Sequence, residues 1–243
     1  MIHYHGMAGT GVLNAVQLAE GRHVFISYAA PSILDLVSKV CSSFSLDNGA
    51  FSAWKSGKEM AYDGFVQFVK RWHRHPAFDW AVIPDVIDGT EEENDEYIER
   101  WPYKSLGRGV GVPVWHLHES FERLERLVNQ FHRIALGSSG DFDKVGSTVW
   151  WNRMKEAMSI ICDKVGRPKA KLHGLRMLNP KVFSKLPLSS ADSTNAEYNS
   201  MFEKSYFPKS KGQRAALIAW RVEGTQSAEA WETEPQLEFN LTT

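Results

Sequence analysis

The chain has 243 residues, of which 43% are hydrophobic and 23% charged, and its formal net charge is −1. That length suits one α/β barrel or two small domains, and the composition is that of an ordinary globular protein. The near-neutral balance excludes a purely electrostatic nucleic-acid coat, so any polyanion must be met by a local basic patch.

Residues 23–28 (HVFISY) read as a strand, followed by a helix over 32–40 with Ser32 as its N-cap. Residues 44–46 form the second strand, stopped by the turn Asp47-Asn48-Gly49. The spacing of Met60, Phe65, Phe68, Val69 and Trp72 predicts a helix over 58–73. The third strand is DWAVI at 79–83, ending at Pro84-Asp85, and an acidic helix capped by Thr90 follows. VGVPVWHL at 110–117 is the fourth strand, with its helix at 120–131. RIAL at 133–136 is the fifth, ending in Gly137-Ser138-Ser139-Gly140, with a long helix over 149–165. KAKLH at 169–173 is the sixth. LPLS at 186–189 is the seventh, ending before Asp192. The apolar run at 215–220 is the eighth. The expected fold is a (β/α)8 TIM-type barrel over residues 1–221, with an open doubly wound sheet as the alternative. Residues 222–243 form a polar tail, mobile or loosely docked.

Two cysteines, Cys41 and Cys162, sit in apolar helical contexts and read as buried free thiols of a reducing cytoplasm. The N-terminal stretch lacks the pattern of a signal peptide, and no apolar run approaches the ~20 residues of a membrane span. The expectation is a cytoplasmic protein with no membrane partner.

Polar residues gather at the predicted strand ends, where a barrel of this kind carries its active site. Asp47, Asp85, His116, His118, the Gly137–Gly140 turn, His173 and Asp192 would converge on one rim. Each also has a structural reading: a turn at Asp47-Asn48-Gly49, helix caps at Asp85 and Asp192, a satisfied core histidine at His173, a flexible turn at Gly137–Gly140. Three carboxylates on one pocket suit glycosidic chemistry, one as nucleophile and another managing protons. Phe51 offers an aromatic face to a planar base, and the backbone amides of Gly137 to Gly140, Ser138 and Ser139 among them, could bond its carbonyl.

These segments resemble the tRNA-guanine transglycosylase superfamily. Asp47-Asn48-Gly49-Ala50-Phe51 is similar to its Asp-Ser-Gly-Gly-aromatic motif, in which the aspartate is an acid/base residue and the aromatic stacks on the base. Pro84-Asp85 is similar to the position of an aspartate that reads the base edge. Leu136–Gly140 resembles a glycine-rich turn touching the base carbonyl. Leu172-His173-Gly174-Leu175 resembles a strand segment that lines the pocket. Ala191-Asp192-Ser193-Thr194 resembles the segment holding the nucleophilic aspartate. The resemblance runs from Asp47 to Asn195.

Two cysteines cannot supply the Cys/Cys/Cys/His zinc site of the tRNA enzymes, and Ala50 replaces the motif's second glycine. The resemblance is therefore closest to the short phage and bacterial branch acting on DNA. It implies a single domain without a zinc-binding subdomain, in the host cytoplasm if phage-encoded. The implied reaction exchanges guanine in DNA for a 7-deazaguanine such as 7-cyano-7-deazaguanine (preQ0). In it, Asp192 is the nucleophile and Asp47 the acid/base residue. Asp85, Phe51, Asn48, Gly49, Gly137, Ser138, Ser139, His173, Gly174 and His116 form the base pocket. No metal or other cofactor is expected. DNA phosphates would meet Arg71, Arg74, Arg167, Lys169 and Lys171, or Lys204, Lys209, Lys211 and Arg214, unless these are ordinary solvated surface. Three other readings stand beside it. One is a metal-dependent, amidohydrolase-like barrel using His3, His5, His116, His118, His173 and Asp192. The others are a tRNA-guanine transglycosylase and a non-enzymatic nucleic-acid-binding phage protein.

Overall fold

The computed structural model describes residues 1–7, 11–202 and 210–232. Among these, nine strands form one sheet: β1 (Ile2–Gly6), β2 (His23–Ser27), β3 (Ser43–Asp47), β4 (Phe78–Val82), β5 (Gly111–Val112), β6 (Val114–His116), β7 (Arg133–Gly137), β8 (Lys171–Gly174) and β9 (Ser190–Ser193). Their order is β5-β4-β3-β2-β1-β9-β8-β7-β6, and every neighbouring pair is parallel.

The two ends of that sheet are separated only by Pro113. Val112 O accepts from Ile83 N at 2.8 Å on one side, and Pro113 O accepts from Ala135 N at 2.9 Å on the other. Proline has no N–H to give to the ladder, so the strand is broken there. β5 and β6 are thus two halves of one stave, and eight staves close a (β/α)8 barrel.

The helices are α1 (Val12–Ala19), α2 (Leu34–Val37), α3 (Ala50–Lys55), α4 (Tyr62–Trp72), α5 (Glu91–Arg100), α6 (Tyr103–Leu106), α7 (Phe121–Gln130), α8 (Thr148–Ile161), α9 (Pro180–Phe183), α10 (Asn195–Asn199) and α11 (Lys211–Glu223). Local chemistry explains several starts. Thr90 and Glu93 close a capping box on α5, whose first turn carries three glutamates that favour the positive end of the helix dipole. Ser120, Ser147 and Ser210 cap α7, α8 and α11. Two apolar clusters fill the space between sheet and helices. One lies on the β6–β9 side around Trp150, Met154 and Phe183, the other on the β1–β4 side around Leu34, Phe44 and Phe65. Within the barrel, Tyr4, Phe25, Trp80, Val82, Val112, Val114 and Ala135 form a third.

The eight staves are not the eight expected ones. The first, Ile2–Gly6, lies before the first expected strand and carries two histidines. His3 and His5 point outward: His3 Nε2 lies 2.8 Å from Thr225 O, and His5 Nε2 lies 2.9 Å from Glu223 Oε1. The run at 215–220, expected as the last strand, is part of α11. There Gly212, Ala215 and Ala219 form a small-residue face at helical spacing that packs closely on α1. The strand expected at 186–189 is displaced to Ser190–Ser193. Pro187 cannot join a ladder, whereas the polar Ser-Ala-Asp-Ser stretch is wholly buried and bonded.

The boundary expected before Val222 falls inside α11. The described residues beyond that helix pack under the N-terminal ends of the strands. Ser227 Oγ donates to Leu188 O at 2.8 Å, Trp231 N donates to Gly166 O at 2.7 Å, and Trp231 is buried. Gly166 has φ +79°, and a Cβ there would lie 2.2 Å from Trp231 O. Gly166→Ala should therefore strain the turn and expel Trp231 together. The expected loss is about 1–3 kcal/mol, read as a lower thermal midpoint and increased Trp231 exposure.

Candidate active site

Side chains alternate along a strand, so the inward residue nearest each C-terminal end forms one ring at the top of the barrel. Here that ring includes Gly6, Ser27, Asp47, His116, Gly137 and Asp192, and above it lies a cavity of about 520 Å³. The loops that follow the strands supply the rest of its wall, among them Asn48, Phe51, Asp85, Ser138, Ser139 and Arg176. The three aspartates singled out from sequence therefore face one space.

Asp47 ends β3. Burial pushes its carboxyl up to about 7; bonds from Ser27 and the Gly49 backbone N–H oppose the rise, and the charges of Asp192 and Asp85 add to it. Gly49 caps α3 at φ +80°, a conformation that turns the chain back and that a Cβ would strain, 3.1 Å from Ala29 N. This glycine shapes the loop but is not part of the cavity wall.

Asp85 is buried and gripped from both sides. Asn48 Nδ2 donates to Oδ1 at 2.6 Å, and His116 Nε2 lies 2.8 Å from Oδ2. Asn48 is itself fixed, donating to Ile83 O at 3.0 Å and accepting from Ala50 N at 2.7 Å. Ala50 thus supplies an N–H, which does not depend on its departure from the glycine of the resembled motif.

Asp192 lies in β9, and its Oδ1 accepts from Arg176 N at 2.9 Å. His173 Nε2 lies 3.3 Å from the same oxygen, off the line of a full hydrogen bond, while its Nδ1 pairs with Ser190 Oγ at 2.9 Å. The imidazole is fully buried among Tyr4, Phe25 and Trp80, and burial lowers its pKa. His173, expected as a wall of the base pocket, instead sits beneath it as the support of Asp192. Gly174 is likewise off the wall, packed against Met177 and Leu188.

Arg176 was missed. It is the one non-glycine described residue with positive φ, at +58°. That conformation aims its N–H at Asp192 while its guanidinium bonds Ser138 O and lies over the Phe51 ring, 4.4 Å from the centroid. No sequence signal marks an arginine for the left-handed region. Its place directly after the Leu172–Leu175 segment is the only hint.

The basic residues divide by barrel end. Arg71 and Arg74 lie at the C-terminal end of α4 leading into β4, and Arg167, Lys169 and Lys171 lie at the entry to β8. Both groups are at the N-terminal end of the barrel, about 17 Å of strand away from the cavity mouth. They cannot hold phosphates next to a nucleotide whose base occupies the cavity. Lys211 starts α11 on the cavity side, where Gly212 N donates to Asn14 of α1 at 2.9 Å. Arg214 Nε donates to Ser200 O at 2.9 Å. Lys204 and Lys209 lie outside the described residues.

Among the described residues, no three of His, Cys, Asp and Glu come together as a metal-holding group, and no helix is long and apolar enough to cross a membrane. Both cysteines are free, Cys162 buried and Cys41 half-buried. Compared with protein-family models and with curated protein sequences, the chain matches none.

Proposed function

We propose that the chain is a DNA-guanine transglycosylase that exchanges guanine for a 7-deazaguanine base such as preQ0. The observation that carries this reading is the convergence of Asp47, Asp85 and Asp192 on one cavity with Phe51 and the Gly137–Ser139 turn. Asp192 attacks C1′ of the target deoxynucleoside, the C1′–N9 bond breaks, and a covalent aspartyl-deoxyribosyl intermediate forms. Asp47 gives a proton to the departing base and takes one from N9 of the incoming base, a double role suited to a carboxyl near 7. Asp85 accepts from the ring N–H and exocyclic amine. Phe51 stacks on the ring, with Arg176 beside it. The target nucleotide must leave the helix to enter, costing a few kcal/mol.

The metal-hydrolase alternative loses its first histidine pair, since His3 and His5 face α11 and the tail rather than the cavity. The DNA-binding track is best sought on the cavity side, from Lys211, Arg214 and the loops around the mouth, because Arg71, Arg74, Arg167, Lys169 and Lys171 lie at the far end.

The direct test is incubation with DNA and preQ0 followed by nucleoside mass spectrometry, with appearance of the deazaguanine nucleoside and release of guanine expected together. No exchange in single- or double-stranded DNA, with exchange in tRNA, would transfer the reading to the tRNA enzymes. Phe51→Ala should weaken base binding by about 1–3 kcal/mol, the usual worth of a stacking aromatic, as read by calorimetry.

A further inference from the structure

Asp85 is the inner end of a continuous hydrogen-bonded chain that the exchange chemistry does not require. His116 Nε2 lies 2.8 Å from Asp85 Oδ2, His116 Nδ1 lies 3.5 Å from Ser139 Oγ, and Ser139 Oγ lies 3.0 Å from His118 Nδ1. Asp85, His116 and Ser139 are all buried, whereas His118 is exposed. The two imidazoles stack, with centroids 5.6 Å apart and planes 20° apart. Gly137 makes room for the inner ring, since a Cβ there would lie 2.7 Å from His116 Nδ1.

The proton positions follow from the donor inventory. A carboxylate only accepts, so His116 carries a hydrogen on Nε2, and in the neutral imidazole Nδ1 is then the acceptor. The hydroxyl within reach of Nδ1 is Ser139, which must donate inward. Ser139 Oγ is then free to accept from His118 Nδ1–H. Every link therefore points the same way, from solvent to Asp85, and Asn48 adds a second donor on the other oxygen.

We propose that His118, Ser139 and His116 form a one-way hydrogen-bond chain that holds Asp85 as an obligate acceptor, making these residues the positioning group behind selection of bases with adjacent ring N–H and exocyclic amine donors. The proposal rests on the base-exchange reading of the cavity. A protonated Asp85 would offer a donor to a donor and lose that selectivity. The other charged or titratable groups on the cavity are Asp47 from β3, Asp192 from β9 and Arg176 after β8.

The test is equilibrium binding of guanine and of hypoxanthine, which lacks the amine. Wild-type protein should prefer guanine by about 10- to 100-fold, the worth of one hydrogen bond to a charged group. His116→Ala should collapse that ratio. His116→Gln, which keeps a donor, should preserve it. Ser139→Ala should move in the direction of His116→Ala, and Ser139→Thr should not. A purely structural His116 would instead lower affinity for both bases equally, and that result overturns the proposal. So does an unchanged ratio in Ser139→Ala, with Gly137→Ala as an independent displacement of the ring. Failure of wild-type protein to bind either base overturns the exchange reading itself, and the chain's role with it.

Discussion

Asp192→Asn is expected to cut base exchange by roughly 10⁴-fold or more while leaving the fold intact. In the proposed exchange the nucleophile is the one group for which no other cavity residue can substitute, because the covalent sugar–enzyme bond would form on it. Asparagine is the informative replacement. It retains an oxygen to accept from Arg176 N, a contact that alanine would leave without a partner beside the buried His173. Among the described residues, both of these contacts fall on Oδ1, which leaves Oδ2 for attack. The measurement is single-turnover incorporation of labelled guanine into DNA, paired with a thermal melt. A wild-type rate in this variant would remove Asp192 from the nucleophile's role, and a large loss of melting temperature would show that the substitution had damaged the barrel instead.

Asp47→Asn is expected to slow exchange by about 10²- to 10⁴-fold, the usual range for a lost acid/base group. Its pH behaviour is more telling. With the carboxyl near 7, departure of guanine needs the protonated form and should weaken as pH rises through 7. Capture of the incoming base needs the ionised form and should weaken as pH falls through 7. Measured separately, the two half-reactions should titrate in opposite directions, and both dependences should vanish in Asp47→Asn. A folding consequence follows from the same shift. The carboxyl rises from 3.8 to about 7 on folding, so between those values the folded protein binds the proton that the unfolded chain has lost. Stability contributed by this group is therefore present at low pH and lost as pH rises from about 4 to about 7. Asp47→Asn should be more stable than wild type at about pH 8, by on the order of 2 kcal/mol once screening by cavity water is allowed for, and near equal to it at about pH 4. Chemical denaturation at the two pH values checks the sign.

The supporting shell around these groups changes the meaning of two histidines. His173 and His116 both looked like pocket residues by their strand-end positions. His116 does line the cavity, but its nitrogens are spent on Asp85 and Ser139 rather than free to contact a ligand. His173 is one layer further down, because β8 is entered at Lys171 and its side chain falls in the same layer as Trp80 and Tyr4. A single position along a strand moves a side chain by one layer or to the other face, and no sequence pattern fixes that depth.

Short-range features were legible without coordinates. The Asp47-Asn48-Gly49 turn, the Thr90 cap and the strand-ending positions of Asp85 and the Gly137–Gly140 turn follow from backbone chemistry local to a few residues. So did the alternation that points to a parallel barrel. Three things were decided only by the tertiary structure. Ile2–Gly6 is a stave because α11 buries its outward histidines, a partner more than 200 residues away in sequence. The run at 215–220 is a helix because Gly212, Ala215 and Ala219 meet α1 closely, although its apolar composition suits a strand equally well. The basic residues at 71, 74, 167, 169 and 171 are removed from the cavity by the direction of the chain, since parallel strands send every helix end and strand entry to the opposite pole. The identity of the acidic residues was written in the sequence; which of them share a cavity, at what depth and with which supports, was set by closure of the barrel through Pro113.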